Sequence, residues 1–283
     1  MKLSIVADEL SDDPATAFEL GREWGVDAFE LRGVGIGRVP RLEPAYERRL
    51  RNAIRDFGIT VTAVSPGLFK MPFPAESPER SNLGWMEAQF HRGWATAQAA
   101  VDEHFNELLP ATIDFAGACG ARFIIAFSFH RGAAPAGPAP AGVVDALAAA
   151  ADRTRESGLE LLLETEEGFW ADTGANSAAL VRAAGDVGLG INWDPANSLC
   201  GGDRPYPDGY EALAGLVRNV HFKDARATPA GGEFVADGEV DWAGQIAALK
   251  RDGYGGYIAV EPHLAPSVRS VRTALERLRG LIG

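Results

Sequence analysis

Short apolar runs alternate with amphipathic stretches along the whole chain. Six times a helical stretch ends at a glycine and an apolar run follows. These are Trp24-Gly25 before DAFEL, Phe57-Gly58 before TVTAV, Cys119-Gly120 before RFIIAF, Ser157-Gly158 before ELLLE, Val187-Gly188 before GINWD and Asp252-Gly253 before GYIAVE. A glycine at that point lets the chain leave a helix in the left-handed conformation without a Cβ clash. Lys2 to Ala7 and Asn219 to Phe222 read as two further strands without this lead-in, which makes eight. Between strands, Leu50, Ala53, Ile54 and Phe57 follow the i, i+3, i+4, i+7 helical template, as do Val143, Val144 and Leu147. Trp242, Ile246 and Leu249 repeat it behind Asp241 as N-cap, and Asp12, Asp13 and Pro14 read as a cap and first turn.

Apolar strands alternating with helices predict a parallel sheet. Eight such units predict closure into one (β/α)8 barrel spanning residues 1–283, with an open doubly wound sheet as the alternative. The rhythm breaks between the third and fourth strands. Residues 65–82, SPGLFKMPFPAESPERSN, predict a loop over the barrel mouth, and Trp85 to His104 an extra helix. The apolar face of that helix, with Trp85, Phe90 and Trp94, suggests a homodimer contact. Residues 131–142, RGAAPAGPAPAG, predict a surface loop. Gly33-Val34-Gly35-Ile36-Gly37 lacks the spacing of a dinucleotide fingerprint and reads as a turn.

Composition narrows the function. A formal net charge of −12 over 283 residues repels phosphate backbones and argues against nucleic-acid partners. Cys119 and Cys200, the two cysteines, form no CxxC pair and suit a reducing cytoplasm. The first residues are too short an apolar run for a signal peptide or a membrane span. A small-molecule substrate is the expected partner, with neither nucleic acid nor membrane.

A (β/α)8 barrel builds its active site at the C-terminal ends of its strands. Glu164 ends the fifth strand, Asp194 follows the sixth, His221 lies in the seventh, and Glu261 follows the eighth. By strand alternation Glu164 shares a face with Leu162, Asp194 with Asn192, His221 with Asn219 and Lys223, and Glu261 with Ala259. Pointing inward, the four converge. Three carboxylates and an imidazole suit one divalent ion, Mn²⁺, Mg²⁺ or Co²⁺, with Zn²⁺ less specifically. Such a cation would relieve their mutual repulsion. The alternative is ordinary ion pairing of strand-end carboxylates with Lys and Arg.

The motifs VADELSDDP, GVDAFELRG, SPGLFK, LLLET, INWDPANSLCGG, VHFKDA and IAVEPH, in this order and spacing, resemble the sugar phosphate isomerase/epimerase group of the xylose isomerase-like barrel superfamily. Ketose 3-epimerases, hydroxypyruvate isomerase, inosose dehydratase and endonuclease IV belong to that superfamily. The resemblance implies that Glu164, Asp194, His221 and Glu261 are metal ligands, and that Glu164 and Glu261 also form an acid/base pair. Two departures stand out. Asn197 occupies the region after the strand-six Asp where many relatives carry a histidine, and TEEGFW lacks the Asn that often follows the strand-five Glu.

A metal-stabilised enediolate serves epimerisation, aldose–ketose isomerisation and, where a β-hydroxyl leaves, dehydration of a keto-polyol such as an inosose. The reading is therefore a metal-dependent isomerase or epimerase of a sugar or related hydroxy-carbonyl compound. A dehydratase and a barrel that binds a ligand without turning it over are the alternatives. An endonuclease would need three zinc ions, hence more than the five histidines present. Substrate contacts are expected from Lys223 (or its pairing with Asp224), Lys70, Arg32 (or neutralisation of Glu30), His130, Asn197 and Glu9. His91, His104 and His263 read as structural, and Phe73, Trp170 and Trp193 as pocket wall or core.

Overall fold

The computed structural model describes residues 1–75, 81–229 and 231–283. Within the 65–82 loop expected from sequence, residues 76–80 lie outside the described residues.

Eight strands form a closed barrel: β1 (Lys2–Val6), β2 (Ala28–Leu31), β3 (Thr60–Leu68), β4 (Phe123–Ala126), β5 (Glu160–Glu164), β6 (Leu189–Trp193), β7 (Val217–Phe222) and β8 (Tyr257–Val260). Each strand pairs in parallel with its neighbours in sequence. β8 closes on β1, with Lys2 opposite Tyr257 and Ile5 opposite Val260. The open sheet is excluded. Strands buried on both faces explain the unbroken apolar runs: every residue of β2, β4 and β6 is buried.

The outer layer contains α1 (Pro14–Glu23), α2 (Pro44–Phe57), α3 (Ala97–Glu103), α4 (Leu109–Cys119), α5 (Ala141–Glu156), α6 (Gly174–Ala184), α7 (Pro195–Cys200), α8 (Trp242–Arg251) and α9 (Ser267–Ile282). Their ends follow the sequence signals. Asp13 caps α1 by accepting from the Thr16 N–H, and Asp241 caps α8 by accepting from the Gly244 N–H. Gly58 (φ 62°) and Gly120 (φ 70°) take the left-handed conformation that terminates α2 and α4. Leu50 and Ala53 of α2, Val143 and Leu147 of α5, and Ile246 and Leu249 of α8 face the core.

One local expectation changes, and two hairpins add detail. The long helix over 85–104 does not form. Leu83–Trp85 and Ala88–Phe90 are single 3-10 turns, and regular helix begins only at α3, where Thr96 accepts from the Ala99 N–H. Gly93, at φ 80°, breaks the path between them. Trp85, Phe90 and Trp94 then face separate partners. Trp85 stacks on His130, Phe90 lies under Arg38, and Trp94 packs against His104. The helical face proposed for dimer contact is therefore absent. The glycine-rich turn at 33–37 is the tip of a two-stranded hairpin, Gly33–Val34 with Gly37–Arg38. A second hairpin, Asp224–Thr228 with Gly231–Val235, follows β7 and was not expected. It packs so closely on α7 that a Cβ at Gly232 would sit 1.9 Å from Cys200 Sγ.

Both cysteines are free, as expected. No helix among the described residues is long and apolar enough to cross a membrane. Trp193 is core: fully buried, its indole N–H donates to Gln245 Oε1 at 3.0 Å.

Candidate metal centre

At the C-terminal end of the barrel, Glu164, Asp194, His221 and Glu261 each offer a ligand atom within 4.8 Å of the others, and all four are buried. Four consecutive strands deliver them. Glu164 is the last residue of β5, Asp194 caps α7 directly after β6, His221 lies inside β7, and Glu261 follows β8. His221 Nδ1 stands 3.2 Å from Glu164 Oε1, 3.1 Å from Glu261 Oε2 and 3.6 Å from Asp194 Oδ2. Its other nitrogen, Nε2, is 3.0 Å from Glu30 Oε2, which reaches across the barrel from β2. A ring nitrogen bonded to a carboxylate directs the opposite nitrogen toward a cation.

The residues fit a divalent ion on three grounds. Two like charges 4.8 Å apart repel by roughly 3–4 kcal/mol at an effective dielectric near 20. Asp194 Oδ2 is fully buried and, apart from its ion pair with Lys223, has no hydrogen-bond partner among the described residues. The cation beside it, the Lys223 ammonium, lies 2.8 Å from both Asp194 Oδ2 and Glu261 Oε2 and so already marks the point where positive charge is favoured. Burial works against a charged His221, but the Glu30, Glu261 and Glu164 carboxylates outweigh it and raise its pKa. Burial likewise works against an ionised Glu261, but Lys223, His221 and His263 hold its carboxyl well below the usual range.

The barrel beneath this cluster is polar. Asn219 Nδ2 donates to Asn192 Oδ1 at 2.9 Å and lies 3.4 Å from Glu30 Oε2. Asn192 lies against the His221 ring. This network fixes the imidazole plane.

Around the cluster, the expected contact residues divide. Lys223 joins it, and does not pair with Asp224, whose carboxylate is held instead by Arg277 at 2.7 Å. Arg32 does not neutralise Glu30. Its guanidinium joins Asp8 (2.9 Å), Glu9 (2.6 Å) and Glu261 (2.5 Å). Glu9 also accepts from the His263 backbone N–H and lies 2.8 Å from its Nδ1. Lys70 sits over the Phe127 ring, 2.9 Å from Glu166 Oε1 and 3.2 Å from Glu87 Oε1. Burial would lower its pKa, but those two glutamates raise it. Asn197 is buried and donates to Glu166 Oε2 at 2.7 Å and to the Thr165 carbonyl, so it positions Glu166. His130 stands apart from the cluster, stacked on Trp85 and edge-on to Phe169, and lines a side cavity with Phe73 and Trp170.

His263 departs from its structural reading: Nε2 lies 3.4 Å from Glu261 Oε1, and with Glu9 and Glu261 it forms a second ligand-type group on the rim. His104 keeps its structural reading, buried and accepting from the Phe69 N–H. Glu30, Asn192, Asn219, Glu166 and His263 stand in or beside the cluster, a placement that residue-by-residue reading passed over. A usable signal existed for two of them: Asn192 and Asn219 precede Asp194 and His221 by two residues in strands buried on both faces.

A cavity of about 520 Å³ opens at the opposite end of the barrel, lined by Lys2, Thr60, Phe123, Arg218 and Gly256. It contains none of the clustered ligand-type residues, so chemistry rather than volume locates the site.

No curated protein sequence matches the chain. Solved structures match it over nearly its full length. The IOLI protein with a bound zinc atom aligns with TM-score 0.72 at 15% identity, over 100% of this chain and 98% of that one. D-allulose 3-epimerase from Methylomonas sp. in complex with D-allulose aligns with TM-score 0.69 at 16% identity, over 99% and 96%. The probable 3-DHS dehydratase AsbF of petrobactin synthesis from Bacillus anthracis aligns with TM-score 0.69 at 15% identity, over 99% and 99%. These likenesses concern the fold. The family model described as xylose isomerase-like TIM barrel matches residues 18–281, and on that match, carried by a closed eight-stranded parallel barrel, the chain belongs to the xylose isomerase-like TIM barrel family.

Proposed function

We propose that the protein is a metal-dependent isomerase or epimerase of a sugar or related hydroxy-carbonyl compound, with Glu164, Asp194, His221 and Glu261 holding one divalent ion. The observation that carries this reading is the placement of Glu164 and Glu261. They approach His221 Nδ1 at 3.2 and 3.1 Å from β5 and from the end of β8, two places separated around the barrel rim by β6 and β7. The zinc-bound and D-allulose-bound structures of the same fold support the class of cofactor and substrate.

A bound divalent ion would supply Lewis-acid stabilisation to an enediolate. The protein's own groups do the rest. One glutamate takes the proton alpha to the substrate carbonyl, and the other returns a proton from the far side of the ligand ring, inverting the carbon. Lys223, between Asp194 and Glu261, holds positive charge beside the developing oxyanion. Arg32 fixes Glu261 through one oxygen and leaves the other toward the centre. Glu30 keeps the His221 ring oriented. Burial of the whole set excludes bulk water and strengthens each interaction.

The test has two parts. Protein purified without chelator should contain about one divalent ion per chain. With that ion loaded, ketoses incubated in D₂O should gain deuterium at the carbon alpha to the carbonyl. Glu261→Gln should retain metal and lose exchange. Full exchange in that variant removes Glu261 from the acid/base role, and a product lighter by one water moves the enzyme to the dehydratases.

A further inference from the structure

Beside the metal centre, a cavity of about 440 Å³ lies between the 33–38 hairpin, the end of β3 and the segment 89–94. Its described lining includes Asp8, Arg38, Arg41, Phe90, Arg92 and Trp94. Three arginines against one aspartate is an unusual wall in a chain of net charge −12. Most of these charges are answered. Asp8 is held by Arg32. Arg41 and Arg92 share Glu103, which also accepts from the Trp94 indole.

Arg38 is the exception. Its Nε donates to the Ser65 carbonyl at 2.9 Å and its Nη2 to Ser65 Oγ at 3.1 Å. Nη1 has no partner, and no carboxylate pairs with Arg38, among the described residues. The guanidinium carbon lies over the Phe90 ring, 5.0 Å from its centroid, and a Cβ at Gly67 would come within 3.5 Å of Nε. Two bonds to one serine and a ring on one face fix the fork while leaving one donor edge open. That is the geometry of an arginine built to receive a planar or tetrahedral oxyanion. Burial, then the nearby Arg32 charge, lower its pKa to about 10, against the partial compensation that Asp8, Glu164 and Glu261 supply from a distance. Glu164 and Glu261 act on it electrostatically, and Asp8 links the cavity wall through Arg32 to Glu261, so cavity and metal centre adjoin.

We infer that the Arg38 cavity is an anion subsite for the distal phosphate or carboxylate of the substrate, which makes that substrate an acidic sugar derivative rather than a neutral sugar. This rests on the proposed isomerase/epimerase reading for its placement, but anion binding is measurable without turnover. A neutral polyol offers Arg38 only uncharged hydroxyl acceptors. An oxyanion offers charged oxygens, with a charge-assisted bond worth about tenfold or more in affinity. Phe90 and Trp94 supply apolar surface for the carbon chain between the anion and the reacting carbons.

The experiment titrates inorganic phosphate, and separately acetate, into the full chain by calorimetry. It compares wild type with Arg38→Gln and Arg38→Lys, with metal content and melting temperature measured on each. The expected result is one phosphate per chain, weakened about tenfold or more in Arg38→Gln and partly retained in Arg38→Lys, with metal content and melting unchanged. Phosphate bound at least tenfold tighter than acetate indicates a phosphorylated substrate; comparable affinities indicate a carboxylate. Phosphate binding that is absent, or equal in wild type and Arg38→Gln, overturns the inference even if metal and exchange activity are present. Arg38-dependent phosphate binding in a protein that takes up no metal upholds the subsite while the metal reading fails.

Discussion

Lowering the pH from 7 to 5 should cost the protein about 2 kcal/mol through His104 alone. The ring is 4% exposed, and its Nδ1 accepts from the Phe69 N–H at 2.9 Å. Burial, then the positive charges of Arg41 and Arg92, push its pKa down from 6.5 to about 3. The unfolded chain takes up this proton as pH falls through 6.5, whereas the folded chain refuses it until about 3. Between those values the unfolded state binds more protons, so stability falls as pH falls, by about 1.4 kcal/mol per unit once well below 6.5. At pH 5 the two pKa values give about 2 kcal/mol, against about 0.2 at pH 7. The assay is urea unfolding followed by tryptophan fluorescence at pH 7, 6 and 5, on wild type and His104→Asn. The asparagine amide oxygen takes the place of Nδ1 and still accepts from Phe69, but it does not titrate. Carboxylates that titrate in this range are common to both proteins and cancel in the difference. Wild type should lose about 2 kcal/mol more than the variant between pH 7 and 5. Parallel losses would show that His104 is protonated in the fold, and would refute the argument from burial.

Other perturbations address the metal centre and the packing around it. Asp194→Asn should abolish stoichiometric metal uptake and lower the melting temperature of the chelated protein, because the amide oxygen still caps α7 as Oδ1 does for the Asn197 N–H while the amide nitrogen replaces Oδ2 against the buried Lys223 ammonium. Elemental analysis beside a melting curve reads both. Glu30→Gln should weaken metal binding about 10–100-fold by loosening the His221 tautomer, measured by metal titration; unchanged affinity would mean that Glu30 does not orient the ring. Gly174→Ala should destabilise the fold by about 1–3 kcal/mol or more in urea, since its Cβ would fall 2.1 Å from the Gly209 carbonyl oxygen, which is backbone and must move.

Much of the architecture was legible in the sequence because it is written locally. Glycine exits from helices, apolar runs and Asp caps depend on a few adjacent residues, and the eight expected strands are the eight observed. The four ligand-type residues were legible for the same reason: strand alternation and position at a strand end are both local, and the barrel rule supplies convergence. The failures lie where local signals conflict or where distance in sequence is large. Trp85 to His104 contains apolar residues at helical spacing, yet Gly93 turns the chain and Thr96 restarts it, so the helix is confined to α3.

The sequence by itself determined the barrel, its order and the residues presented at its mouth, since each follows from short-range patterns repeated eight times. Only the tertiary structure decided the pairings. Arg32 meets Glu261 across 229 residues, and Glu30 meets His221 across 191. His263 turns toward Glu9, and Arg38 is left facing a cavity with one edge unpaired among the described residues. No local pattern encodes which carboxylate an arginine will reach. That depends on closing β8 against β1, which brings the two ends of the chain together and sets the charges of the site against one another.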